Sequence, residues 1–149
     1  LNLLGLWKMP KWRFIFREDY EDRCMTRILL AEDEQAMREY LARALERSGY
    51  EVVSVDRGTE AAPLLEREHF DLLLTDIVMP EMDGIELARH CSKVSPQTEV
   101  MFITGFSGVA LRAGESMPSA KILSKPFHLK DLVLEVERLF AKESFGELK

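Results

Sequence analysis

Four short apolar runs in this chain each end on residues able to do chemistry. ILLA is followed by Glu32 and Asp33, LLLT by Asp76, VMFI by Thr104 and Gly105, and KILS by Lys125 and Pro126. If the runs are strands of one parallel sheet, all four endings lie at its carboxyl edge, where doubly wound sheets bind their ligands. Three carboxylates meeting there without a counter-charge would repel one another and resist ionisation, which argues for a cation between them. An all-oxygen acidic site suits Mg²⁺, which prefers oxygen ligands and keeps several waters. Lys125 adds a point charge and Thr104 a hydroxyl, both suited to holding phosphoryl oxygens. A carboxylate fixed beside a metal can act as a nucleophile and carry an acyl phosphate, and Asp76 is placed for that role. Taken singly, an acid at a strand end is commonly a turn or cap residue and a Lys-Pro step commonly a loop. The joint placement on one edge carries the reading.

The elements that must position these residues follow from periodicity. From Met25 onward, short apolar runs alternate with helical patterns, the signature of an α/β protein with a parallel sheet covered on both faces. Strands are expected at RILLAED, YEVVSV, FDLLLTD, EVMFITG and AKILSKP. The first helix places Met37, Leu41, Ala44 and Leu45 on one face and stops at Gly49. A second helix is expected over 59–68, but Pro63 removes one early hydrogen bond, so it either starts at Pro63 or is irregular before it. A third spans about 85–94. A last helix runs from about 129 to 141, with Leu129, Leu132, Val133, Val136 and Leu139 or Phe140 as its apolar stripe. The segment GFSGVALRAGESMPSA between Thr104 and Lys125 is glycine-rich and carries Pro118, so the fourth helix should be short or partly disordered. Its face is either a distinctive docking surface or merely that of a poor helix.

Composition narrows the function classes. With 149 residues the chain fits one domain, able to bury about two-thirds of its unfolded surface without disulfides. A formal net charge of -6 and the lack of a Lys/Arg cluster along the folded part argue against nucleic acid as a direct partner. Cys24 and Cys91 are too few and too far apart for a disulfide framework or a zinc site, which fits a reducing cytoplasm. No apolar run approaches the ~18 residues needed to cross a bilayer. Residues 1–24 mix aromatics and charges without a clean period. One reading makes them a membrane-surface segment, with Trp7, Trp12, Phe14 and Phe16 among Lys8, Lys11, Arg13 and Arg17. Pro10 would break such a helix, and the favoured reading is a disordered extension or an over-extended translation start, with the domain occupying 25–141 and a short tail 142–149. His69, His90 and His128 lack motif partners and are expected to be solvated or structural. Asp83 is expected to cap the third helix, and Met37, Met79, Met101 and Phe127 to pack.

The motifs AED, LLLTDIVMPEMDG, FITG and LSKPF, in that order and at that spacing, resemble a response-regulator receiver domain over nearly all of the folded chain. The resemblance implies a flavodoxin-like, CheY-like (βα)5 fold with strand order 2-1-3-4-5. It further implies Asp76 as phosphoacceptor; Glu32, Asp33, Asp76 and the backbone carbonyl of Val78 as Mg²⁺ ligands; Thr104 and Lys125 as readers of the phosphate; and a cis Lys125-Pro126 bond. RILLAEDE, LLLTDIVMPEMDGIELAR, VMFITGF and AKILSKPFHLKDLV together are similar to one branch, the CpdR-like stand-alone receivers of alphaproteobacteria. That similarity implies a cytoplasmic, mostly monomeric protein, recruited to a cell pole through partners. It would take phosphate through a hybrid histidine kinase and a histidine phosphotransferase and, unphosphorylated, prime the ClpX unfoldase of ClpXP to degrade cell-cycle regulators.

Three departures from the wider family stand out. The position three before Lys125, often aromatic, is Ile122, so coupling must run through loop and fourth-helix repacking rather than an aromatic turning inward. The fourth-helix segment is unusually glycine-rich. Val78 and Phe106 flank the phosphoryl position where polar residues in some relatives orient water, which implies slow self-dephosphorylation. A phosphate shuttle and a chemotaxis-type receiver are alternatives within signalling. Haloacid-dehalogenase-like phosphatases share the Asp, Ser/Thr, Lys and acidic pair, but they carry a second Asp two residues after the nucleophile, and Val78 stands there.

Overall fold

The computed structural model describes residues 25–147; the expectations for residues 1–24 and for the end of the tail lie outside that range. Five parallel strands form one sheet in the order β2-β1-β3-β4-β5. The elements run β1 (Arg27–Ala31), α1 (Gln35–Arg47), β2 (Glu51–Val55), α2 (Gly58–Arg67), β3 (Leu72–Asp76), α3 (Gly84–Val94), β4 (Glu99–Thr104), α4 (Ser107–Ser116), β5 (Lys121–Ser124) and α5 (Leu129–Glu147).

The continuous apolar runs become the inner strands because both of their faces are covered. β3 is buried at every position and β1 and β4 at all but their first, whereas the edge strands β2 and β5 are only partly covered. Alternate side chains feed two separate cores. Leu29, Leu73 and Phe102 pack with Ala61 and Leu65 of α2, Leu87 and Cys91 of α3 and Ala113 of α4. Ile28, Leu30, Leu72, Leu74, Met101 and Ile103 point the other way, against Leu41 and Leu45 of α1 and Leu132 and Val136 of α5. Every inner strand is thereby clamped from both sides, which holds its carboxyl end in place.

Helix boundaries follow local chemistry with one correction. Gly49 takes the left-handed conformation (φ 97°) and ends α1. Asp83 caps α3, its carboxylate accepting the Glu86 N–H at 2.9 Å. α2, however, neither starts at Pro63 nor is irregular before it: it is helical from Gly58 onward, with Pro63 inside. The hydrogen bond that Pro63 cannot make would have reached the carbonyl of Thr59, an exposed residue whose carbonyl water can serve, while burial of Ala61, Ala62 and Leu65 holds the helix on the sheet. α4 is a short helix of ten residues, and α5 continues beyond Ala141 to Glu147.

At the amino edge of the sheet, Arg27 ties neighbouring segments together. It bonds Glu51 and Glu68 at 3.0 Å each and the His69 carbonyl at 2.9 Å, and stacks 4.7 Å from the Phe70 ring centre. These contacts are partly solvated and salt-screened, so they stabilise less than the core beneath them. Leu73→Ala, which empties a fully buried position, should cost about 3 kcal/mol, and Arg27→Ala about 1 kcal/mol. Urea unfolding of the two variants checks that order.

Candidate functional site

Parallel register brings the predicted residues to one edge. Ala31 pairs with Thr75, Asp76 with Ile103 and Thr104 with Ser124, so the endings of β1, β3, β4 and β5 lie side by side. Carboxylate oxygens of Glu32, Asp33 and Asp76 all lie within 4.8 Å of one another. The Lys125 ammonium enters the same cluster, donating to Asp76 Oδ2 at 3.2 Å and lying 3.6 Å from Glu32 Oε2. The other Asp76 oxygen accepts the Val78 N–H at 3.2 Å. Asp76 is therefore held at both oxygens, one by an ammonium and one by a backbone donor.

Thr104 is buried on the neighbouring strand end, its hydroxyl accepting the Phe106 N–H at 3.1 Å and its carbonyl the Lys125 N–H at 2.7 Å. The Lys125-Pro126 peptide is cis. Val78 and Phe106 are exposed, 47% and 61% respectively, and form an apolar rim. Ile122 is partly buried against the core beside α4. The histidines sit elsewhere: His69 beside Asp71, His90 beside Glu66 and His128 at the head of α5.

Charge is poorly balanced in this pocket. Glu32 is 1% exposed, and its Oε1 accepts the Glu34 N–H at 3.1 Å while Oε2 has no hydrogen-bond partner among the described residues. Burial is the main cause that lifts its carboxyl to about 7; the Asp76 charge adds to the rise, and the Glu34 N–H and Lys125 work against it. Burial also acts to lower the Lys125 ammonium, but the charges of Asp76 and Glu32 outweigh it and the net movement is upward. An orphaned, buried carboxylate oxygen among three convergent acids is what a hard divalent cation would complete. The donor set, all oxygen, fits such an ion.

Some parts of the site have no sequence signal. Arg38 on α1 donates to the Glu32 carbonyl at 2.9 Å, and Thr75 bonds the Asp76 carbonyl at 2.8 Å. The Val78 and Phe106 N–H groups serve the site whatever side chains they carry. Gly84 also meets Asp76 directly: a Cβ there would collide with the Asp76 carbonyl oxygen.

A parallel five-stranded sheet with three acids, a Thr and a Lys at its carboxyl edge defines a receiver. Residues 28–137 match the response regulator receiver domain, and the chain belongs to that family. It is 57% identical over 116 residues to the response regulator receiver protein CpdR of Brucella abortus (strain 2308), covering 77% of this chain and 97% of that protein. It is 37% identical over 121 residues to the sensor kinase CckA of the same organism, covering 78% of this chain but 13% of the kinase. Among solved structures, response regulator protein TrrA from Thermotoga maritima, in complex with Mg²⁺-BeF, superposes with a TM-score of 0.70 at 31% identity, covering 77% of this chain and 99% of that one.

The raised Glu32 carboxyl makes metal-free stability pH-dependent. Between about pH 4.5 and 7 the unfolded chain has released the Glu32 proton while the folded chain retains it, so stability falls as pH rises through that window. The loss from this group is up to about 3 kcal/mol, at roughly 1.4 kcal/mol per pH unit. Glu32→Gln should remove most of that slope and raise the metal-free melting temperature at pH 8. Thermal unfolding from pH 4.5 to 8 without divalent ions checks it.

Proposed function

We propose that this chain is a stand-alone, cytoplasmic response regulator of a two-component phosphorelay, in which phosphorylation of Asp76 switches the protein surface it presents. The observation that carries the reading is Asp76 itself, fixed at the end of a fully buried strand between Lys125 and the Val78 N–H, with Glu32 and Asp33 beside it. A carboxylate so oriented is ready for attack without further ordering.

In the proposed reaction an Asp76 carboxylate oxygen attacks the phosphorus of a phosphohistidine on a histidine phosphotransferase or hybrid histidine kinase. The O–P bond forms as the P–N bond breaks, and the departing imidazole keeps the electron pair and takes up a proton. Glu32, Asp33, Asp76 and the Val78 carbonyl would hold Mg²⁺, which when bound offsets the charge of the phosphoryl oxygens. Lys125 exchanges its bond to the Asp76 carboxylate for one to a phosphoryl oxygen. Thr104, whose hydroxyl already accepts from Phe106, has its own proton to donate to another.

The acyl phosphate carries close to two negative charges in place of the carboxylate's one and adds three acceptor oxygens. A loop arrangement that brings Lys125 and Thr104 to them is favoured over one that does not, which shifts the population. With Ile122 at the switch position, the shift travels through the Thr104–Phe106 turn into α4, itself held to the sheet through the small Ala113. A partner preference of about 1.4 kcal/mol between the two forms changes its occupancy tenfold at low saturation. The similarity to CpdR supports a finer reading, an adaptor whose unphosphorylated form engages the ClpX unfoldase and so controls ClpXP proteolysis of cell-cycle regulators. The likeness to part of CckA favours a second, a receiver that passes phosphate onward.

Asp76→Asn should abolish phosphorylation by acetyl phosphate, read by mobility shift or intact mass. Because Val78 and Phe106 leave the rim apolar, Val78→Asn should speed loss of phosphate several-fold; a decay no faster than that of the unaltered protein would count against the water-exclusion account. ClpX should bind the unmodified protein and release it with Mg²⁺-beryllofluoride. Binding of a phosphotransferase but not of ClpX in either state would leave the relay and remove the adaptor.

A further inference from the structure

The acceptor strand and α3 are joined by the loop 77–83, and this loop is pressed from both ends against bare backbone. At its far end the Gly84 N–H donates to the Ile77 carbonyl at 2.8 Å, closing the loop on itself. A side chain at Gly84 would strike the Asp76 carbonyl and lie 2.9 Å from Ile77 Cα. Inside the loop Glu81 is left-handed (φ 70°), and the Met82 N–H bonds the Pro80 carbonyl at 2.9 Å.

The second pressure point comes from outside the site. Gly58, the buried first residue of α2, faces Met82 so closely that a Cβ would lie 2.9 Å from the Met82 carbonyl oxygen and 3.1 Å from its Cβ and Cγ. The neighbouring Thr59 hydroxyl donates to Glu81 at 3.3 Å. Because the nearest atom belongs to the backbone, a side chain at 58 cannot be accommodated by a rotamer change; the loop and the start of α2 must move apart. The Val78 N–H already reaches Asp76 at a long 3.2 Å, so a displacement of a few tenths of an ångström disturbs the site directly.

We propose that Gly58 is a positioning residue for the acceptor site: its bare backbone against Met82, opposed by Gly84 on the Asp76 carbonyl, sets the loop so that the Val78 peptide faces the acidic pocket. The inference rests on the receiver reading for the chemistry at Asp76, while the loop contacts are independent of it. Helix propensity works in the opposite direction, since Ala is favoured over Gly in a helix. Site geometry and helix stability thus make different demands at this position, and the two can be separated by experiment.

The test is Gly58→Ala in the full chain, with Gly114→Ala as a control, because a Cβ at 114 meets only Ile122 Cδ1 at an ordinary 3.8 Å. Two quantities are read. One is the Mg²⁺ concentration that half-saturates the Val78 and Gly84 amide shifts, measured without a phosphodonor. The other is the phosphorylation rate with acetyl phosphate as a function of Mg²⁺. Gly58→Ala should raise both half-saturation concentrations by about 3- to 10-fold, while the rate at saturating Mg²⁺ stays within about twofold and the urea midpoint does not fall. Gly114→Ala should change neither half-saturation. Wild-type Mg²⁺ dependence in Gly58→Ala would overturn the inference. If that variant does not fold, Met82→Gly, which removes both side-chain atoms that face Gly58 and frees the backbone whose carbonyl lies against it, decides: a raised Mg²⁺ half-saturation supports the inference and an unchanged one overturns it. Should the unaltered protein take no phosphate at Asp76, the receiver chemistry fails, while the amide titration still decides the positioning of the loop.

Discussion

The buried carboxylate of Glu32, with Asp76 and Asp33 close by and one oxygen lacking any hydrogen-bond partner among the described residues, is the constraint on which the rest of this molecule turns. A charge in that position is costly, and Lys125 at 3.6 Å from the orphaned oxygen relieves it only in part. The fold must therefore hold several like-charged groups together against their repulsion. It does so with the stiffest material it has, strands β1, β3 and β4, packed on both faces by two independent cores. The strain is kept at the carboxyl edge, where a divalent cation would relieve it.

Rigidity beneath the site contrasts with what surrounds it. Asp76 ends a strand buried at every position, whereas its neighbours in the pocket wall are loop peptides: Val78 after β3 and Phe106 after β4. Each donates a backbone N–H to a functional side chain while turning its own apolar side chain to solvent. The site is thus built from acids on buried strand ends and amides on loops, so that a charge added at Asp76 would act on the loops before the sheet. α4, ten residues long and joined to Thr104 through Phe106, is the helix best placed to follow. Ile122 packs beneath it without the reach of an aromatic ring.

The acidic pair, Asp76, Thr104 and Lys125 were legible because each ends an apolar run, and because parallel strands covered on both faces align their carboxyl ends whatever the loops do. The Asp83 cap and the Gly49 stop were legible for a similar reason: local backbone chemistry decides them within a few residues. The course of α2 was not. Pro63 carries a strong local penalty, yet burial of Ala61, Ala62 and Leu65 against a sheet distant in the chain outweighed it.

The amino-acid sequence by itself determined the order of elements, the two-faced strands and the chemical identity of the groups at the carboxyl edge, because period and residue type are local properties that survive in any register. Only the tertiary structure decided which of those groups touch: that Lys125 donates to Asp76 rather than to Glu32, that Arg38 holds the Glu32 carbonyl, and that Gly58, with no chemistry of its own, lies against the loop that follows Asp76. Those contacts join residues far apart in the chain over distances of about 3 Å, and they exist only once both cores have packed and fixed the helices on the sheet.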